Sequence, residues 1–252
     1  MIAMLRPGFA AACCFILAVL PPPVARAAGC DKPTFRIIVD VGHSATAPGA
    51  ISARGATEYS FNLALSALIE RRLVAHGYGN VFRMITPGDA GNVVERARRA
   101  NSMAVDLFLS VHHDSAQPQY FERWIYAGQE RSYSDRFKGW SLFVSYANAH
   151  LAESIRFATL LADRLAVRGL PFTTHHAEAI SGERRGFVDA SRGIYRHDGL
   201  AVLKLTNAPA VLMEAGLIIN RDEEAALAAP ARQNAIAEAV AEAVDVYCSG
   251  KK

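Results

Sequence analysis

The chain has 252 residues, 51% of them hydrophobic, which is enough apolar material to bury a full core and favours one domain over two. Setting aside residues 1–27, which carry Arg6 and Arg26 and no acid, leaves 25 basic residues against 24 acidic ones and a net charge of +1. That balance gives no electrostatic basis for binding nucleic acid or a membrane surface.

Residues 1–27 read as a signal peptide. Met1 to Arg6 supply a positive start, Phe9 to Leu20 an apolar core of about 12 residues, and Ala25-Arg26-Ala27 a small-residue cleavage site. The apolar run is shorter than the ~20 residues of a spanning helix, so an uncleaved anchor is the lesser reading. No other stretch is long and apolar enough to span, and the chain is expected to be exported, to a periplasm or outside the cell. Cys13 and Cys14 leave with the signal, so Cys30 and Cys248 remain and an oxidising compartment lets them pair. The alternative treats Ala27-Ala28-Gly29-Cys30 as a lipoprotein cleavage box, which Pro21 to Arg26 separate from the apolar core.

The first strand is predicted over Phe35 to Val41, where Ile37-Ile38-Val39-Asp40-Val41 ends in Gly42-His43. Ser44 to Thr57 reads as a loop. Glu58 opens a helix to about His76, with Phe61, Leu65, Leu68, Ile69 and Leu73 on one face and Gly77 as its stop. Val81 to Ile85 reads as a strand and Pro87-Gly88-Asp89 as a turn. Asn92 to Met103 reads as a helix whose Arg96, Arg98 and Arg99 form a solvated face. Val105 to Val111 is a strand delivering His112. Beyond it, Arg123 to Tyr126 reads as a strand and Gly128 to Gly139 as a surface loop.

Leu151 to Gly169 is a helix on Leu151, Ile155, Ala158, Ala162 and Leu165. Pro171 to Asp198 shows no period and reads as an excursion near the strand tips, where specificity commonly resides. Leu200 to Leu205 is expected as a short strand and Ala210 to Glu214 as a buried one. Asn220 and Glu223 resemble a capping box, and a last helix from Pro230 buries Ile236, Val240, Ala243, Val244 and Tyr247. The order of elements predicts an α/β fold: a three-layer α/β/α domain with a twisted, mostly parallel (mixed) sheet flanked by helices.

Strand tips are where ligands collect in such sheets. His43 and His112 both stand at tips, Glu58 begins the helix that leaves the His43 loop, and Glu214 ends an apolar strand. A catalytic zinc takes three protein ligands and leaves one position open, so His43, Glu58 and His112 are candidate ligands and Glu214 the candidate proton shuttle. Each has an ordinary alternative: structural histidines, and a helix-start glutamate favoured by the macrodipole. Burying Glu214 without a partner is costly, which makes it the informative residue.

The stretches Ile38-Val39-Asp40-Val41-Gly42-His43, Glu58-Tyr59-Ser60-Phe61-Asn62, Ser110-Val111-His112 and Pro209-Ala210-Val211-Leu212-Met213-Glu214-Ala215-Gly216 resemble, in order, those of the zinc-dependent N-acetylmuramoyl-L-alanine amidases. The resemblance covers residues 35–247 and implies that residues 28–252 form one catalytic domain with a single Zn2+ on His43, Glu58 and His112. It makes Glu214 the catalytic glutamate and peptidoglycan or a muropeptide the substrate, and a monomer is expected. Val41 stands where the family usually has Pro, and Ser44-Ala45 where it has a Gly pair. Asp40 is expected either to orient a ligand imidazole or to cap a backbone amide. His113 is expected either to touch substrate or to point to the strand's other face. His175 and His176, like Arg196, His197 and Asp198, are expected as solvated loop residues, and His76 as the favourable C-terminal histidine of its helix. A zinc peptidase of the stem peptide and an inactive wall-binding protein are the competing readings. Residues 117–146 are long enough to hold an inserted helix over the zinc, and nothing in their pattern decides it.

Overall fold

The computed structural model describes residues 29–86 and 93–250; the expected signal peptide and the Pro87-Gly88-Asp89 turn lie outside the described residues. In chain order the elements are β1 (Arg36–Val41), α1 (Glu58–Ala75), β2 (Asn80–Met84), α2 (Val93–Ser102), β3 (Leu107–Asp114), β4 (Glu122–Tyr126), β5 (Gln129–Tyr133), β6 (Ser141–Val144), α3 (Leu151–Val167), β7 (Phe187–Asp189), β8 (Ile194–Arg196), α4 (Ala201–Leu205), β9 (Ala210–Leu217), α5 (Arg221–Ala228) and α6 (Pro230–Cys248). Seven strands form one sheet in the order β2-β1-β3-β9-β6-β8-β7, and β4 pairs with β5 as a separate hairpin. The first four strands of that order run parallel, β6 meets β9 antiparallel, and β7 meets β8 antiparallel. This is the expected mixed α/β sheet.

The central strands read as unbroken apolar runs because both faces are covered. Strand alternation sends Ile37, Val39, Leu107, Leu109, Val111, Val211 and Met213 to one side, where Phe61, Leu65 and Ile69 of α1, Phe157 and Leu161 of α3, and Val240 of α6 close over them. Ile38, Phe108 and Leu212 face the other side, under Ala100 of α2 and Val202 and Leu203 of α4. On β3 and β9 the same alternation assigns Ser110, His112, Leu212 and Glu214 to the α2/α4 side. Chemistry therefore gathers on the side with the thinner helical cover.

Four expectations change. Leu200 to Leu205 is not a strand; Ala201–Leu205 is the helix α4, built from good helix formers. The expected loop Gly128 to Gly139 contains β5, which turns back on β4 through Ala127 (φ 50°) and Gly128 (φ 76°), the left-handed pair of a tight hairpin turn. Ser141–Val144 is β6, a strand the sequence reading did not assign. The 171–198 excursion folds at its end into β7 and β8 and extends the sheet. Residues 117–146 hold a single 3-10 turn, the hairpin and β6, and no long helix.

Two ties fix the ends of elements. Asn220 Oδ1 accepts from the backbone N–H of Asp222 and Glu223 and so caps α5. Glu223 does not complete a capping box; its carboxylate accepts from the N–H of Gly139 and Leu217 instead. Cys30 and Cys248 are joined as a disulfide with Cα atoms 4.9 Å apart. Among the described residues, no helix is long and apolar enough to cross a membrane.

Candidate metal centre

After β1 the chain continues to β2 on one side and returns to β3 on the other, so the crevice of this sheet opens at the carboxyl ends of β1 and β3. His43 lies two residues past β1 in the left-handed region, with φ 67°, a conformation that costs a non-glycine residue roughly 1–2 kcal/mol. Arg96 sustains it. Its guanidinium donates to Asp40 Oδ1 (2.9 Å) and to the carbonyl oxygens of Val41 and His43, and its side chain is 4% exposed. The expectation of a solvated arginine face thus fails for Arg96: it shares the buried stripe of α2 with Ala97 and Ala100. Arg98 conforms, lying exposed in an ion pair with Glu95.

Glu58 is the hub. Its Oε2 lies 2.9 Å from His43 Nε2 and its Oε1 2.9 Å from His112 Nδ1. Ala50 N–H donates to Oε2 (3.1 Å) and Asn62 Nδ2 to Oε1 (3.2 Å). Burial pushes the Glu58 carboxyl up, but its contacts with His112 and His43 outweigh that and hold it well below the usual carboxylate range. The two imidazoles stand edge to face, centroids 5.0 Å apart. Backbone must come close for this: a Cβ on Gly42 would sit 2.5 Å from the His112 ring, and one on Gly49 (φ 77°) 2.6 Å from His43 Cδ2. One ligand atom from each of His43, Glu58 and His112 lies within 4.8 Å of the others. Two imidazoles and one carboxylate on one point are a donor set suited to zinc.

Glu214 sits opposite His112 across the β3–β9 pairing and opposite Ser141 across β9–β6. Its Oε2 is buried without a hydrogen-bond partner. Burial first, then the charges of Asp114 and Glu58, push its carboxyl well above the ordinary range. Such a group holds or releases a proton at little cost once an ion or substrate changes the local charge.

The other candidates divide. Asp40 touches neither imidazole and caps no amide; its carboxylate accepts from Arg96 and from Ser110 Oγ (2.7 Å) and thereby positions the His43 turn. His113 takes the other face, buried against Phe61. Its Nδ1 donates to Asn62 Oδ1 (2.7 Å), since the amide nitrogen of Asn62 already serves Gly42 O and Glu58. Burial lowers the His113 pKa to about 3, so it stays neutral. His175 and His176 are not solvated: they are 2% and 7% exposed and stand against Asp114. Arg196 and Asp198 pair at the surface as expected, while His197 is half-buried and lowered to about 4 by burial and then Arg185. His76 ends α1 and meets Glu238 and Asp245. Sequence reasoning missed Arg96, Asn62 and Asp114. Asn62 was findable, standing one helical turn after Glu58 on the same face.

Residues 37–246 match the family model described as N-acetylmuramoyl-L-alanine amidase. The N-acetylmuramoyl-L-alanine amidase AmiA of Escherichia coli K12 is 27% identical over 224 residues, 84% of this chain and 75% of that one. The amidase CwlM of Bacillus licheniformis is 34% identical over 95 residues, 37% of each chain. In three dimensions, the amidase Ami1 of Mycobacterium smegmatis superposes with a TM-score of 0.66 at 21% identity, covering 88% of this chain and all of that one. The catalytic domain of CwlV from Bacillus (Paenibacillus) polymyxa gives 0.61 at 24% identity, covering 84% and 97%. These superpositions speak for the fold; the family match, spanning most of the sequence and all four quoted stretches, speaks for descent. The chain belongs to the N-acetylmuramoyl-L-alanine amidase family of enzymes.

Proposed function

We propose that this protein is an exported zinc amidase that cleaves the amide between the lactyl group of N-acetylmuramic acid and L-alanine of the peptidoglycan stem peptide. The observation that carries the reading is the convergence of His43 Nε2 and His112 Nδ1 on the two oxygens of one buried carboxylate, Glu58, with Glu214 directly across the sheet from His112. His43, Glu58 and His112 would hold the ion; zinc bound by such a set polarises a carbonyl and makes water a better nucleophile near neutral pH.

Glu214 supplies what those three do not. It accepts the proton of the attacking water and hands it to the departing amine of L-alanine, a contribution typically worth ~10²–10⁴-fold. Its raised pKa suits that traffic better than an ordinary surface carboxylate would. Arg96, Asp40 and Asn62 do not touch the reacting atoms; they fix the His43 turn and the Glu58 carboxylate. Export is supported by the sequence of residues 1–27 and by the Cys30–Cys248 bond, which oxidising compartments favour.

The test is digestion of purified peptidoglycan with and without a chelator, analysed by mass. Intact stem peptides released from the glycan are expected, and chelation should stop their release. Glu214→Ala should keep the metal and lose at least ~10²-fold in rate. Peptide stubs left on the glycan would reassign the chain to a peptidase, and a Glu214→Ala enzyme of near wild-type rate would remove Glu214 from the mechanism.

A further inference from the structure

We propose that Asp114, His175 and His176 form a second cation site, for a divalent transition metal such as zinc, beside the His43–Glu58–His112 group. Their ligand atoms already converge: Asp114 Oδ2 lies 3.1 Å from His175 Nε2 and 2.9 Å from His176 Nε2, and all three lie within 4.8 Å of one another. The side chains are 14%, 2% and 9% exposed. The two imidazoles face the one carboxylate oxygen at ion-pair distance, yet none of the three buried atoms is aligned for a hydrogen bond. Buried polar atoms in folded proteins are nearly always hydrogen-bonded, so three that lack such a bond and converge on one point suit a shared cation.

The outer partners are those a metal-bound imidazole needs. His175 Nδ1 lies 3.0 Å from Thr173 Oγ1, and His176 Nδ1 lies 3.0 Å from Glu183 Oε2, which leaves each Nε2 facing Asp114. Ring nitrogens tied in this way fix the tautomer and orientation of histidine ligands. Gln117 Nε2 in turn donates to Glu183 Oε1 (2.8 Å). Phe137 stacks on the His175 ring and Phe143 meets the His176 ring edge on, so neither can swing away freely. Two imidazoles and a carboxylate favour zinc over calcium or magnesium, which take mainly oxygen.

An ion can reach the point, because Asp114, His176, Glu183 and Glu214 line one open cavity of about 210 Å³. With Asp114 Oδ2 and His176 Nε2, the Oε2 of Glu214 is the third atom without a hydrogen bond among the residues lining this cavity. Asp114 follows His112 by two residues on β3, which sets their Cα atoms about 6–7 Å apart along the strand. A cation there ties the 171–198 excursion to the strand tip and places a second positive charge beside Glu214.

The proposal rests on these side chains alone and not on the amidase reading, and the experiment separates the two. Full-length mature protein is stripped with chelator and titrated with zinc chloride by calorimetry, with zinc per chain measured after desalting. Wild type is expected to take two ions, His176→Ala one, and His112→Ala one. A single ion in wild type that disappears with His112→Ala overturns the second site and leaves the first standing. A single ion that disappears only with His176→Ala supports this site and overturns the first. Two ions retained by His176→Ala also overturn the proposal. Should that variant fail to fold, diffraction from zinc-soaked wild-type crystals at the zinc edge decides: an anomalous peak between Asp114, His175 and His176 is expected, and its absence overturns the site.

Discussion

Arg96 connects a buried charge pair to the geometry of His43, a proposed ligand. Its partner Asp40 is 1% exposed, and both lie beneath the His43 turn. Truncating one member of a buried pair leaves the other uncompensated, at roughly 3–5 kcal/mol, whereas removing both together is often far cheaper. Arg96→Leu should therefore lower stability by about that amount and weaken zinc binding, because the carbonyls of Val41 and His43 lose their donor. The double variant Asp40→Asn/Arg96→Leu should recover much of the stability but not the zinc affinity. Denaturation midpoints and zinc titrations check this; full recovery of affinity in the double variant would sever Arg96 from the site. The sequence held the clue in two halves. Asp40 inside an apolar strand needs a partner, and Arg96 falls on the stripe shared by Ala97 and Ala100. Linking them requires the β1–α2 packing, which helical period alone does not supply. His175, His176 and Asp114 were opaque for the same reason, since a separation of some sixty residues carries no spacing signal.

Elements that a strong period announces, such as α1, α3, α6 and the runs of β1, β3 and β9, were legible within a few residues. Of the short ones, β2 and β4 were legible and the others were not. β6 offers only Ser141-Leu142-Phe143-Val144, too brief to show alternation, and the hairpin turns on Ala127-Gly128, which lacks the usual Asn-Gly signal. In α4 an apolar run of strand-like length proved helical, the ambiguity that short apolar runs always carry. How α6 is held in place was equally invisible. Asp245 gathers Lys32 Nζ (2.6 Å), His76 Nδ1 (2.9 Å) and Tyr78 Oη (3.0 Å) from the lead-in and from the segment that closes α1. Burial opposes its ionisation, but Lys32, His76 and Tyr78 hold its carboxyl below the usual range. A depressed folded pKa means that the stability is fully present above the unfolded value near ~3.9 and is lost as pH falls through the folded one. The group is about a third exposed, so solvent screening limits the effect to roughly 1 kcal/mol. Asp245→Asn is expected to lower the melting point at neutral pH, with the gap to wild type closing as the pH falls below about 4. A gap that widens under acid would contradict this role.

At the scale of the whole molecule, the sheet supplies rigidity, and one covalent tie joins the first and last described segments. The first and last described segments meet where Cys30 N–H donates to Cys248 O (2.8 Å) and the two sulfurs are bonded. Cys248 is buried on the core beneath α1, α3 and α6, and Cys30 packs against the same core. The bond spans 218 residues of sequence, so it restricts nearly the entire unfolded chain. A loop of that length gives up to ~5 kcal/mol in the chain-entropy view, and measured bonds more often give ~2–4. The paired variant Cys30→Ser/Cys248→Ser should fold, since the sheet and the rest of the core stay in place, but with a lower urea midpoint. Its unfolded state, freed of the crosslink, should expose more surface and steepen the dependence on urea. Reductant should move wild type to the variant's midpoint and leave the variant unmoved. Because the proposed metal groups sit at the strand tips and this bond joins the first and last described segments, zinc content should stay at the wild-type value throughout. Loss of zinc on reduction would instead mean that the strand tips are held together by the closure of the chain rather than by the sheet itself.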